Sequence, residues 1–258
     1  MSNLFFREFG SGKPLIILHG LLGCSDNWIF HGKKLSNFFH VYILDQMNHG
    51  NSPHSSDISY DLLSDDIYEF IKFKKLSSVN IMGHSMGGKV AMSFALKHPN
   101  LVDNLIVLDI APKDYSIQSR FDELINSVIS LPIDTIESRK DADNYLSNSI
   151  PETAVRSFIL KNLKRGNSNN FLWKPNITLI AKKMTEIYSW KESSLTYEAN
   201  TLFIKGDKSD YISESDLSTI KKYFPNVLIK NIKNSGHWIH VDSPDEFFLL
   251  IKNFLKLF

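Results

Sequence analysis

Short runs of Ile, Val and Leu recur along this 258-residue chain, and most segments between them carry apolar residues at helical spacing. Candidate strands are Leu4–Phe9, Leu15–His19, Val41–Asp45, Val79–Met82, Leu105–Ile110, Thr201–Lys205 and Val227–Ile232. Runs this short and this apolar suit strands buried on both faces of a largely parallel sheet. Helix candidates are Tyr60–Phe73, Met86–Lys97, Ser213–Tyr223 and Asp245–Phe254. Parallel neighbours need long crossover connections, which helices supply. The alternation therefore predicts a doubly wound α/β layer structure, and the length suits one such domain with an insertion.

The alternation fails between Pro112 and Leu195. Here Phe121, Leu124, Ile125 and Val128, and again Val155, Phe158, Ile159 and Leu163, keep helical spacing. The expected organisation is a core formed by 1–111 and 196–258, with 112–195 as a helical cap over the C-terminal edge of the sheet. Phe171, Trp173, Met184, Tyr188 and Trp190 are candidates either for a pocket lining or for the cap's own core.

The formal net charge is +1, which gives no case for nucleic acid or an anionic membrane as partner. Cys24 is the only cysteine, so an intrachain disulfide is impossible and a reducing, cytoplasmic setting is expected. With no basic neighbour in sequence, Cys24 reads as a small packed residue rather than a reactive thiol. Arg7 and Glu8 stand where a signal peptide would need apolar residues, and no apolar run approaches a membrane span. No cofactor is expected: Lys89 is followed by Val90, so a G-x-x-x-x-G-K-[ST] phosphate loop is absent.

Gly83-His84-Ser85-Met86-Gly87 joins the strand candidate Val79–Met82 to the helix candidate Met86–Lys97. That context turns a common G-x-S-x-G string into a nucleophile signal. A turn this sharp forces its central residue into strained backbone and crowds the flanking segments, which glycines relieve by lacking a Cβ. Ser85 then sits at a helix N-terminus, where free N–H groups favour developing negative charge. In this arrangement one oxyanion donor is the N–H after the nucleophile, and the other comes from a loop after an earlier strand. The backbone N–H groups of Met86 and of Leu21, in His19-Gly20-Leu21-Leu22-Gly23, fill those roles. His19 fits a loop-orienting hydrogen bond better than catalysis.

A serine hydroxyl needs a base. Of nine histidines, His237 follows the last strand candidate and precedes the last helix, in Ser235-Gly236-His237-Trp238. His31, His40, His49, His54 and His98 fall in loop or helix-end positions. His240 lies three residues past His237, but no H-E-x-x-H or carboxylate set accompanies the pair, so no metal is expected. The carboxylate that should orient the base is open at this point. Asp207 and Asp210 flank Ser209 in the loop after Thr201–Lys205, and Asp109 ends the strand candidate Leu105–Ile110.

His19-Gly20, Asn48-His49-Gly50-x-Ser52, Gly83-His84-Ser85-Met86-Gly87-Gly88-Lys89, Asp109-Ile110-Ala111-Pro112 and Gly236-His237-Trp238 together resemble the α/β-hydrolase superfamily. More narrowly, they are similar to its YbfF-type esterase/thioesterase branch, and the likeness runs nearly end to end, with Trp173 and Asn176 in the cap. Met47 departs from the branch, which usually has arginine before Asn-His-Gly; this bears on a local ion pair rather than on the chemistry. The resemblance implies an α/β-hydrolase fold, with a mostly parallel central sheet, flanking helices and an inserted helical cap. It also implies that the acid comes from the strand beside the nucleophile strand, so Asp109, with Ser209 as an auxiliary hydrogen-bonding group and Asp210 then Asp207 in reserve.

The expected function is a serine hydrolase of carboxylic esters or acyl thioesters, working on a small-molecule substrate through Ser85, His237 and Asp109 as a monomer or homodimer. A serine at 85 rules out the aspartate-nucleophile dehalogenases and epoxide hydrolases. Carbon–carbon bond hydrolases and cofactor-free haloperoxidases of this fold stand as alternatives, as does a non-catalytic binding protein.

Overall fold

The computed structural model describes residues 4–115, 119–166 and 170–257. The apolar runs form β1 (Phe6–Phe9), β2 (Pro14–Leu18), β3 (His40–Leu44), β4 (Val79–His84) and β5 (Val102–Leu108). After an insertion holding the hairpin β6 (Leu163–Arg165) and β7 (Phe171–Trp173) come β8 (Asn200–Gly206) and β9 (Val227–Ile232). Seven strands make one sheet in the order β1-β3-β2-β4-β5-β8-β9. Only β1 runs antiparallel to its neighbour.

The central strands are mostly apolar because both faces are covered. Alternate residues sort into two clusters. Ile16, Leu18, Ile81, Leu105 and Val107 pack under α2 (Tyr60–Phe73) and α3 (Met86–Lys97), against Ile67, Phe70, Val90 and Phe94. Leu15, Ile17, Met82, Ile106 and Leu108 face α1 (Ile29–Leu35) and the C-terminal helix, against Leu35, Phe247 and Ile251. Truncating one such fully buried side chain to alanine removes about 2–5 kcal/mol. The Ser59 hydroxyl accepts from the Leu62 N–H at 3.2 Å and starts α2, a cap worth about 1 kcal/mol.

The insertion carries α4 (Ser119–Ser130), α5 (Arg139–Leu146), α6 (Thr153–Leu160), the hairpin, α7 (Ile177–Lys182) and α8 (Met184–Tyr188). Leu124, Ile125 and Val128 of α4 pack into the main core as their spacing predicts; the side chain of Phe121 lies outside the described residues. The hairpin is an addition to the helical expectation, since three-residue strands are too short to show a period. Asn162 donates to the Leu22 carbonyl at 2.6 Å, and the Asn176 N–H donates to the Asn48 carbonyl at 2.9 Å. These bonds seat the insertion on the loops that leave the C-terminal ends of β2 and β3. Beyond it, α9 (Asp216–Tyr223) lies between β8 and β9, and α10 (Ile239–Asp242) and α11 (Pro244–Phe254) end the chain.

Candidate active site

Ser85 occupies the turn between β4 and α3 with φ 52° and ψ −121°, a region costly for any residue with a Cβ. The turn holds because its neighbours over-determine it. The Ser85 N–H donates to the Leu108 carbonyl at 3.0 Å, and the Ser85 carbonyl accepts from the Gly88 and Lys89 N–H groups. A Cβ at Gly83 would collide with the Gly87 carbonyl, and one at Gly87 would lie 2.5 Å from the carbonyl oxygens of Leu18 and His19. The G-x-S-x-G spacing is thus a packing requirement here. The Ser85 hydroxyl has no hydrogen-bond partner among the described residues and lines a pocket of about 40 Å³.

His237 leaves the loop after β9 and turns its Nδ1 toward Asp109 Oδ2, 2.8 Å away. The ring of Tyr211 stacks on it, with centroids 3.8 Å apart and planes 17° from parallel. His84, next to the nucleophile, donates its Nε2–H to the His237 carbonyl at 2.8 Å. Burial, reinforced by the nearby His237, pushes the His84 pKa down to about 3, so its imidazole stays neutral near pH 7. Behind it, His240 stacks on Trp28, with ring centroids 4.1 Å apart.

Asp109 follows β5 with φ 52° and is fully buried. Its N–H donates to the Ile204 carbonyl at 2.8 Å, carrying the β5–β8 ladder one residue past the strand. Its carboxylate accepts from the Gly206 N–H at 3.1 Å, from the Ser209 hydroxyl and from His237. A buried carboxylate is tolerable only when donors converge on it, and three do so here. Asp207 and Asp210 are exposed and make no hydrogen bond or ion pair with His237.

Leu21 and Met86 line the same pocket as Ser85, and their amide N–H groups find no acceptor among the described residues. The loop bearing Leu21 is held by His19, which donates Nδ1–H to the Gly20 carbonyl at 2.8 Å and accepts the Gln46 N–H at Nε2 at 3.1 Å. Burial pushes His19 down to about 4, which keeps the neutral tautomer this pattern requires. Of the aromatic and apolar candidates in the insertion, Tyr188 lines the pocket, whereas Phe171, Trp173, Met184 and Trp190 pack elsewhere. Sequence reasoning missed Tyr60, Lys89, Tyr115 and Tyr211, which also line it.

A family model described as "alpha/beta hydrolase fold" matches residues 13–244. The chain is 37% identical to the sn-1-specific diacylglycerol lipase ABHD11 of Danio rerio, over 98% of this chain and 83% of that relative. It is 28% identical to the esterase YbfF of Escherichia coli, over 95% of this chain and 94% of that protein. Its fold matches a solved marine microorganism esterase with a TM-score of 0.96 at 42% identity, covering 98% of this chain and 100% of that one. The motifs, the strand order and these likenesses agree: the chain belongs to the α/β-hydrolase fold family.

Proposed function

We propose that this protein is a serine hydrolase of carboxylic esters or acyl thioesters with short- to medium-chain acyl groups. The observation that carries the reading is the 2.8 Å contact of His237 Nδ1 with the buried Asp109 carboxylate, on the sheet edge that bears Ser85 in its strained turn. Asp109 keeps the histidine proton on Nδ1, so Nε2 is free to take the Ser85 proton. Ser85 Oγ bonds to the acyl carbon, and the resulting oxyanion accepts from the Leu21 and Met86 N–H groups. Each such donor is worth about 3 kcal/mol in the transition state. The alcohol or thiol leaves with the proton from His237, giving an acyl-enzyme. Water then gives its proton to His237 and attacks the acyl carbon, and Ser85 recovers its proton as the acid departs. Ser209 assists by donating to Asp109.

In this reading 112–195 serves as the cap over a core of 1–111 and 196–258. An apolar acyl group suits a pocket whose walls include Leu21, Met86, Ile110 and Ile187. The lone Cys24 is buried, and burial raises its pKa to about 11, which accords with a packing role and a reducing cytoplasm.

The test is hydrolysis of p-nitrophenyl esters from acetate to decanoate, with Ser85→Ala as the blank. Turnover well above the blank, together with a fluorophosphonate adduct on Ser85, is expected. No adduct and no turnover would leave the chain a binding protein. Parallel assays with acyl thioesters decide between the two leaving groups.

A further inference from the structure

Lys89 lies one helical turn beyond Ser85 and is 1% exposed. No carboxylate lies within ion-pair distance of its ammonium among the described residues, although an uncompensated buried cation is costly. What it has instead is two backbone carbonyls at the exit of the insertion: Nζ donates to Tyr188 O and Ser189 O, both at 2.8 Å. Tyr60 of α2 donates its hydroxyl to the preceding carbonyl, Ile187 O, at 2.6 Å. The Tyr115 N–H adds a second bond to Tyr188 O at 2.9 Å, and Asp114 accepts from the Trp190 N–H at 2.5 Å. Three successive carbonyls are therefore pinned by groups outside the segment that bears them.

That segment stands between two cavities. Ile187 and Tyr188 face the pocket of Ser85, together with Tyr60 and Lys89. Glu186, Ser189 and Trp190 face a larger pocket of about 330 Å³, which Tyr60 also lines. Tyr60 thus belongs to both sides of the partition.

We infer that Tyr60 and Lys89 are specificity-determining residues that latch residues 187–189 as the end wall of the acyl pocket and so set its chain-length limit. The inference rests on the hydrolase reading above. An acyl chain that fits ends against Tyr60, Ile187 and Tyr188. A longer one must displace the latched segment and spill into the second cavity.

The experiment measures kcat/KM for p-nitrophenyl butyrate and decanoate in the wild type, Tyr60→Phe and Lys89→Met. Tyr60→Phe removes only a hydroxyl, so it guards against a lysine variant that fails to fold. The wild type should favour butyrate, and each variant should raise the decanoate-to-butyrate ratio about tenfold, the scale on which pocket size discriminates alkyl groups. Adding Ser93→Trp to Tyr60→Phe should fill the second cavity and bring the ratio back, since Ser93 lines it. A wild type without a butyrate preference overturns the inference. So does a ratio unmoved in the variants, as when all esters lose activity equally, and so does a ratio that stays high with Ser93→Trp. Activity on no ester above the Ser85→Ala blank is a different result: it removes the hydrolase reading, and this inference with it.

Discussion

The loops leaving β5 and β8 reach the same point beside His237, yet they bring different chemistry to it. The first brings Asp109, a carboxylate with no solvent exposure. The second brings a hydroxyl from Ser209 and an N–H from Gly206, while its own carboxylates, Asp207 and Asp210, face water. Three acids lie within reach in sequence, but only one sits where donors converge. The contrast shows that proximity along the chain counts for less than side-chain direction. In the loop after β8 one residue separates Ser209, which reaches the buried carboxylate, from Asp210, an ordinary surface aspartate.

The sharpest way to break the contrast is Asp109→Asn. The amide keeps the shape but replaces one carboxylate oxygen by an N–H donor, and on the proposed mechanism kcat for p-nitrophenyl butyrate should fall about 10⁴-fold. A loss below tenfold would assign the acid elsewhere. Exchanging the two chemistries comes next. Asp109→Ser combined with Ser209→Asp moves the carboxylate to the other loop and should recover about tenfold or more in kcat over Asp109→Ser alone, because the two positions couple. Recovery absent, the loops are not interchangeable. Ser209→Ala alone withdraws one donor from a buried charge and should lower stability by about 1–2 kcal/mol in urea unfolding. Last, Asp207→Asn and Asp210→Asn should each stay within about 0.5 kcal/mol of wild type, as exposed positions do. A large effect at either would erase the distinction between the loops.

How much of this was legible depends on which signal carries it. Helices α2 and α3 span the residues their periodicity predicts, and β9 does too, because a regular apolar pattern needs no partner to be seen. Strand β4 runs on to His84, past its apolar stretch, because it pairs residue by residue with β5 as far as Leu108. Helix α1 escaped notice: it carries Gly32 in mid-helix, where a Cβ would press 2.6 Å from an Ile43 methyl, so close packing overrides propensity. At the site, motif and order along the chain make Ser85 and His237 candidates. Choosing Asp109 over its rivals needed the family resemblance, since nothing in one dimension says which loop aspartate points inward. The pocket walls were hidden for the same reason. Tyr60, Lys89, Tyr115 and Tyr211 come from four separate segments, and no local pattern distinguishes Lys89 from a solvated helix lysine.

The histidines packed behind the site make the stability of the fold depend on pH. Burial holds His19 and His31 at about 4 and His49 and His84 at about 3, and depresses His240 as well. In the unfolded chain each would titrate near about 6.5. Between these values only the unfolded chain takes up the protons, so the histidines' contribution is level above about pH 6.5 and drains away as the medium acidifies toward about pH 4. Acidification therefore weakens the fold through these buried imidazoles, whatever the substrate. Unfolding midpoints in urea should fall from pH 7 to pH 5.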